Sequence, residues 1–153
     1  MADKTSPEYA VLPAGTIVKW GKVSDLPTAL KPLINCKSIG ATGTTGSFVD
    51  CTTLIDLNKQ SISDLPDGQE KTLGFIDDPE NADFAAFLTA ADARETVQFY
   101  VQFPNKRTAT ILLALAGWEL NDVSAPASEV MQITVKGKQN NVKWGVAATG
   151  GTK

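Results

Sequence analysis

The stretch from Lys71 to Phe103 constrains the fold most, because its pattern changes from strand to helix and back to strand. Counted from Phe84, the apolar residues Phe87, Leu88 and Ala91 follow at spacings of three, four and seven. These spacings put all four side chains on one stripe of an amphipathic helix. The sequence therefore predicts a single helix that packs its stripe against strands on either side.

The same stretch contains residues that are typical of a helix start. The side chain of Asp78 can accept hydrogen bonds from the first free N–H groups of a helix. Pro79 already has helical φ and lacks an N–H group, and Glu80 interacts favourably with the positive end of the helix dipole. We therefore predict a helix over residues 79–94 with Asp78 as its N-cap.

Strands are predicted on both sides of this helix. Val97, Phe99, Val101 and Phe103 alternate with more polar residues, which is the period of a half-buried strand. A turn at residues 104–106 leads into a mostly apolar run that predicts a long strand covered from two sides. The predicted strands cover residues 16–20, 33–39, 71–77, 96–103, 108–120 and 129–136. The pattern predicts a mainly β fold, a two-sheet β-sandwich or barrel-like domain with one flanking helix and a long polar loop.

The 153 residues are enough for one domain with a hydrophobic core. Within residues 1–153 we predict an N-terminal arm (1–15), a long assembly loop (43–69) and a flexible C-terminal tail (137–153). In that tail Val142 and Trp144 can add a short edge strand. The loop has too few large apolar residues to become ordered alone, so we expect neighbouring subunits to order it. No apolar run is long enough for a membrane anchor.

The composition argues against catalysis and against a cofactor or a metal site. The chain contains no histidine, which removes the commonest general base and the commonest zinc ligand. Cys36 and Cys51 are isolated in the sequence and form no metal-binding pair, so we predict two reduced thiols. The prediction is a protein that is not an enzyme.

Two motifs suggest ligands. The sequence GATGTTG at residues 40–46 matches a glycine-rich phosphate loop, but the β-branched residues after it do not predict the helix that such a loop requires. Residues 56–67 can be aligned with a calcium-binding EF-hand loop. Ser61 then replaces the required glycine and Asp67 the bidentate glutamate, which argues against calcium. A flexible turn is the prediction for residues 40–46, and a small nucleotide-binding enzyme that uses them stays open as an alternative.

The charges are distributed unevenly. The segment from Asp50 to Glu95 contains eleven acidic and three basic residues, a net charge of −8. Because the whole chain has a net charge of −3, the rest of the chain has a net charge of +5. Lys136, Lys138 and Lys143 lack the arginines and interleaved aromatics of a nucleic-acid site, so they predict a solvated basic face. An acidic middle and basic flanks can attract each other between copies of the chain.

Residues 71–138 resemble the tail tube (major tail) proteins of long-tailed bacteriophages of the lambda-like type. The resemblance rests on the DPEN sequence at residues 78–81, the Phe-Pro-Asn ending of a strand at 103–105, the Gly-Trp pair at 117–118 and the Glu-Val pair at 129–130. The N-terminal third is similar in layout only.

The resemblance implies a structural virion protein that polymerises as stacked, hexameric rings into the tail tube and forms the conduit for DNA ejection. Such a protein is made in the host cytoplasm and resides in the virion tail. Its implied partners are other copies of itself and other tail proteins (tape measure, tail terminator, tail tip). DNA is expected to pass through the lumen without specific binding. A monomeric ligand-binding β-sandwich stays open as a further alternative.

A lumen that conducts DNA should repel phosphates, because neutralising them strengthens binding. The candidate lumen acids are Asp50, Asp56, Asp64, Asp67, Glu70, Asp77, Glu119 and Asp122. The predicted inter-subunit anchors of the long loop are Phe48, Leu54, Ile55 and Leu57.

Overall fold

A computed structural model describes residues 13–124 and 130–147. In this part of the chain the backbone forms eleven strands and one α-helix, α1 (Ala82–Asp92). The strands are β1 (Ile17–Lys22), β2 (Lys31–Pro32), β3 (Cys36–Ser38), β4 (Thr44–Thr45), β5 (Phe48–Asp50), β6 (Ser61–Ser63), β7 (Asp67–Gly68), β8 (Glu70–Ile76), β9 (Thr96–Gln102), β10 (Arg107–Leu120) and β11 (Gln132–Val146). A short 3-10 helix covers Pro27–Ala29.

Seven of these strands form one antiparallel sheet in the order β2-β1-β9-β10-β11-β8-β3. The sheet curls into half a barrel, so the mainly β prediction with one helix is confirmed in its barrel-like form. The other four strands form two small two-stranded ladders, β4-β7 and β5-β6.

The hydrophobic core lies on one face of the sheet, under α1. Alternate side chains of β9 and β10 point into it, and the predicted helix stripe covers them, with Phe84 and Phe87 buried. The Phe87 ring lies 5.3 Å from that of Trp20 and 5.6 Å from that of Phe75. Burial of a phenylalanine contributes about 1.5–3 kcal/mol, so this contact fixes the helix on the sheet. The opposite face of the sheet, which we call the open face, is mostly polar and only partly buried.

The helix begins later than predicted, and the N-cap is Asn81 instead of Asp78. The Oδ1 atom of Asn81 accepts hydrogen bonds from the N–H groups of Asp83 (3.1 Å) and Phe84 (3.3 Å). Asp78 instead begins a turn in which its carbonyl accepts from the Asn81 N–H group. Both residue types can cap a helix, and Asn81 is the one directly before the first helical residue, Ala82.

The C-terminal part of the chain differs most from the prediction. A flexible tail was expected from residue 137, but β11 continues to Val146, paired with β8 up to Lys138 and with β10 as far as Val146. Its pairing with β10 shifts between Leu112 and Leu113. Such a bulge breaks the alternation, since Gln139 and Val142 both turn towards the core although they are three positions apart in the chain. Residues 1–12, 125–129 and 148–153, which include most of the predicted N-terminal arm and the end of the predicted tail, lie outside the described residues.

Smaller differences concern the N-terminal strands. β1 extends to Lys22, two residues beyond the predicted end. The strand predicted over residues 33–39 is interrupted, because Leu33 to Asn35 form a turn between β2 and β3. β10 is fully buried on its core side only, and the side chains of its other face are half-buried.

Candidate functional site

Residues 43–69 form an arm that extends from the sheet. Its root is the ladder of β4 and β7, where Thr44 pairs with Gly68, and further out Phe48 of β5 pairs with Ser63 of β6. The tip comprises residues 51–60. The segment predicted as a loop is thus a paired structure, whereas its dependence on neighbouring subunits stays a prediction.

Carboxylates shape the tip. The side chain of Asp50 accepts hydrogen bonds from the hydroxyl and the backbone N–H group of Thr52, and these bonds lower the pKa of the Asp50 carboxyl. Asp56 accepts from the backbone N–H group of Thr53 at 2.8 Å. Both carboxylates therefore hold short turns while they remain at the surface of the arm.

The arm exposes apolar side chains. The exposed fraction is 75% for Phe48, 108% for Leu54, 86% for Ile55 and 98% for Leu57, the four predicted anchors. None of them belongs to the hydrophobic core of the described residues. Contiguous exposed apolar groups on a soluble domain are typical of an interaction surface.

The root is held by two fully buried polar side chains, Lys71 and Gln139. The Nζ atom of Lys71 donates to the Ala41 carbonyl (2.9 Å) and to the Thr42 hydroxyl (2.6 Å). The Gln139 amide accepts from the Gly43 N–H group (2.9 Å) and donates to the Ala41 carbonyl (3.2 Å). Buried polar groups require such partners, so these bonds fix residues 41–43 against β8 and β11.

Sequence reasoning missed both of these residues, although a signal existed. Lys71 is in phase with Leu73 and Phe75, so the alternation of β8 points it into the core. Gln139 follows Val135 and the buried Gly137 in the same way on β11. A charged or amide side chain at a core position of a strand is the pattern that would have found them.

The glycine-rich segment 40–46 serves this root. Gly40 has φ +68°, a conformation that other residues rarely adopt, and a Cβ atom there would lie 3.1 Å from the Thr72 carbonyl oxygen. At the root, a Cβ atom on Gly68 would overlap the carbonyl of Gln139. The segment leads into the arm and not into a helix. The geometry therefore agrees with a structural turn and not with a phosphate loop.

Burial also changes the ionisation of this region. It lowers the pKa of Lys71 to about 8, with a smaller opposing effect of Cys36. Burial raises the pKa of Cys36 to about 12, and a backbone hydrogen bond with Ser38 and the charge of Lys71 partly offset this effect. Cys36 is consequently a protonated thiol at neutral pH, and both cysteines are free.

An apolar groove lies beside the arm root. Its larger part, a cavity of about 660 Å³, is lined by the start of β1, by residues 32–40 and by Phe103. A cavity of about 430 Å³ adjoins it, sharing Pro13, Ile39, Gly40 and Phe103. We call the two together the groove. Among residues 13–124 and 130–147, two charged residues line the groove, Lys37 and Arg107, and Arg107 lies 6.0 Å from the ring of Trp144.

The structure divides the eight predicted lumen acids into three groups. The arm acids are Asp50, Asp56 and Asp64; the root acids are Asp67 and Glu70; the sheet-end acids are Asp77, Glu119 and Asp122. The sheet-end acids flank the start of β11, where the Asp77 N–H group donates to Met131 and the Asn121 N–H group to Gln132. The eight residues therefore do not form one acidic surface.

The predicted basic face lies on the open face of the sheet. Lys136, Lys138 and Lys143 project from β11 on this side. Lys138 forms an exposed ion pair with Asp67 at 3.2 Å, and Lys136 lies 4.0 Å from Glu119. Pairs of this kind contribute little in isolation, but they neutralise part of the face.

Metal and membrane sites find no support in the described residues. The two ends of the EF-hand-like segment are apart, since Asp56 is at the tip and Asp67 at the root. Over residues 13–124 and 130–147, no three His, Cys, Asp or Glu side chains come together as a metal site. Nor does this part of the chain contain a helix long and apolar enough to cross a membrane.

Comparison with known proteins gives a consistent result. Residues 11–147 match the model of a phage tail tube protein family. The fold is similar to that of a chain in the anti-feeding prophage tube-terminating cap (TM-score 0.74, 10% identity, 95% of this chain and 97% of that chain). It is also similar to the SPP1 tail tube protein (TM-score 0.67, 7% identity, 88% and 78%). A third similar chain comes from the tail of an empty GTA particle with C6 symmetry (TM-score 0.64, 10% identity, 91% and 100%). No curated protein sequence matches the chain.

Proposed function

Because this chain belongs to the phage tail tube protein family, we propose that it polymerises as stacked hexameric rings that form the conduit for DNA ejection. It is a structural protein of the virion tail. The hexameric state is supported by the C6 symmetry of the similar GTA tail. The proposed role is architectural and needs no catalytic group.

The observation that carries the proposal in this molecule is the arm. A rigid root fixes its direction through Lys71 and Gln139, while its tip presents apolar side chains to solvent. Burial of a leucine between subunits contributes about 1.5–3 kcal/mol, so three such residues on each arm provide a substantial driving force for association. Because the same contact is repeated around a ring and along a tube, this driving force is multiplied in the assembly.

We propose the other tail proteins (tape measure, terminator and tail tip) as partners of the assembled tube. Support comes from similar folds in a tube-terminating cap and in a sheath-tube complex of an extracellular contractile injection system. For the lumen we retain the proposal that acidic walls repel DNA. The three separate groups of acids allow each group to be tested alone.

The test of the proposal is a variant with a shortened arm. Phe48 and Ser63 are directly paired, so residues 49–62 can be replaced by Asn-Gly, which forms the tight turn of a two-residue hairpin. The root and the core are unchanged, and we expect a folded monomer that forms no tubes. Circular dichroism and light scattering measure the two properties. If the shortened chain still forms tubes, the arm does not mediate assembly; the matched control is Leu26→Ser, which removes an exposed leucine outside the arm.

A further inference from the structure

Apolar side chains line the groove beside the arm root, and the described residues leave it open. We propose that the chain's own residues 8–12, which lie outside the described residues, bind in this groove and cover it. The sequence there is Glu-Tyr-Ala-Val-Leu. One copy of the chain contains both the groove and the segment, so this inference goes beyond the proposed assembly and does not depend on it.

The groove favours an apolar occupant. Leu33, which belongs to the hydrophobic core, and Phe103, which packs against the core, line its larger cavity. Ile17 and Ile34 line the same cavity with exposed fractions of 45% and 80%. Burial of an isoleucine contributes about 1.5–3 kcal/mol, so an apolar segment that covers these side chains stabilises the folded chain.

The first described residue, Pro13, lies in the groove itself. Pro13 lines both cavities, and residues 14–17 line the larger one. The backbone N–H group and the hydroxyl of Thr16 donate to the Pro13 carbonyl at 3.3 Å and 2.6 Å, so a turn holds Pro13 in the groove wall. Five residues span at most about 18 Å at ~3.3–3.6 Å each, which keeps residues 8–12 within reach of the lining. A tethered segment has a high effective concentration at a site so near its attachment.

The charges agree with this occupant. The described part of the lining contains two charged side chains, Lys37 and Arg107, and neither forms an ion pair with a described residue. The carboxylate of Glu8 supplies the opposite charge, and the four residues after it carry none. The segment 148–153 contains no acidic residue and no large apolar one, so it matches the groove less well. Charge and apolar character therefore both favour residues 8–12.

Cys36 reports whether the groove is covered, because its side chain lines the larger cavity. In a Cys51→Ser background it is the one remaining thiol of the chain. Iodoacetamide labelling is measured at a protein concentration at which light scattering shows single copies. We expect Val11→Ser combined with Leu12→Ser to raise the labelling rate roughly tenfold, because access of the reagent then no longer depends on transient opening of the cover.

A matched control and a truncated chain identify the occupant. Thr5→Ala combined with Ser6→Ala changes the same part of the chain outside residues 8–12 and should leave the labelling rate unchanged. Deletion of residues 2–12 should raise the rate as the serine changes do. A synthetic, C-terminally amidated peptide of residues 1–12, added in excess, should then restore protection. The same peptide with Glu8→Lys should protect less at equal concentration, because the cationic side chains of the groove repel it.

Circular dichroism verifies that each variant is folded, and the serine variant alone decides should the truncated chain fail to fold. An unchanged labelling rate in the folded serine variant would overturn the proposal. Protection of the parent thiol that disappears on dilution would also overturn it, since the cover would then be a second copy. Labelling is measured on single copies, so its result is independent of whether the parent chain forms tubes.

Discussion

The buried amine of Lys71 should make the stability of the domain depend on pH, and Lys71→Met should remove this dependence. Burial lowers the pKa of Lys71 from 10.5 to about 8 in the folded chain. Methionine has a similar length and no charge, so the variant keeps an unbranched side chain at this fully buried position. We expect the stability of the parent relative to the variant to rise as the pH increases above 8.

The sign follows from the protons bound in each state. Below pH 8 the amine is protonated in both the folded and the unfolded chain, so the stability difference between the parent and the variant does not change with pH. Between pH 8 and 10.5 the folded chain has released a proton that the unfolded chain keeps, and stability therefore rises with pH. The difference between the two pKa values corresponds to about 3 kcal/mol of stability, of which roughly 1 kcal/mol is reached between pH 7 and pH 9.

Urea unfolding followed by tryptophan fluorescence measures this difference, since Trp20 is only 3% exposed in the folded chain. The shortened-arm background keeps both proteins monomeric under the proposed function. Burial raises the pKa of Cys36 to about 12, but this thiol is present in both proteins and its titration largely cancels. A difference that stays constant from pH 7 to pH 9.5, or that falls, would refute the assignment of Lys71 as a buried, partly deprotonated amine.

Three further predictions concern the root, the helix start and the lumen. Gly68→Ala should lower the free energy of unfolding by about 3 kcal/mol in urea titrations, or prevent folding, because the new methyl group overlaps the Gln139 carbonyl. The control Thr45→Ala, at an exposed position of the same ladder, should cost under ~1 kcal/mol. Asn81→Ala should cost about 1 kcal/mol of unfolding free energy and Asp78→Ala less than ~0.5 kcal/mol, an order that a cap at Asp78 would reverse. Tubes with the sheet-end acids changed to lysine should bind duplex DNA in a salt-dependent manner that native tubes do not show, and tight binding by native tubes at physiological salt would contradict the repulsive lumen.

Local patterns were sufficient where one residue type decided the outcome. The spacing of Phe84 and Phe87 and the alternation of β9 predicted the helix and its supporting strand, because these large apolar side chains must be buried in the core. The second half of β11 was predicted to be flexible because a bulge interrupts its alternation and because few of its residues are strongly apolar. Its order comes from pairing with the first half of β10, from Arg107 to Leu113, which the pattern of a single strand does not reveal.

The candidate site was predictable in part. Phe48 and Leu57 were predicted as inter-subunit anchors; the structure exposes both on the arm, and their role as anchors stays a prediction. Strand alternation marks Lys71 and Gln139 as core positions, but their hydrogen-bond partners lie 29 or more positions away in the chain, so no local pattern identifies those partners. The grouping of the acids likewise follows from strand pairing. Composition predicted an acidic middle but not that Asp67 would neutralise Lys138.

The most direct test of the central claim is negative-stain electron microscopy of the purified, concentrated chain. The account predicts ring-shaped particles and tubes of constant diameter, with six subunits in each end view. It also predicts that these particles are absent from the shortened-arm variant at the same concentration. A homogeneous population of 16.2 kDa monomers at high concentration, low salt and over several days would contradict it.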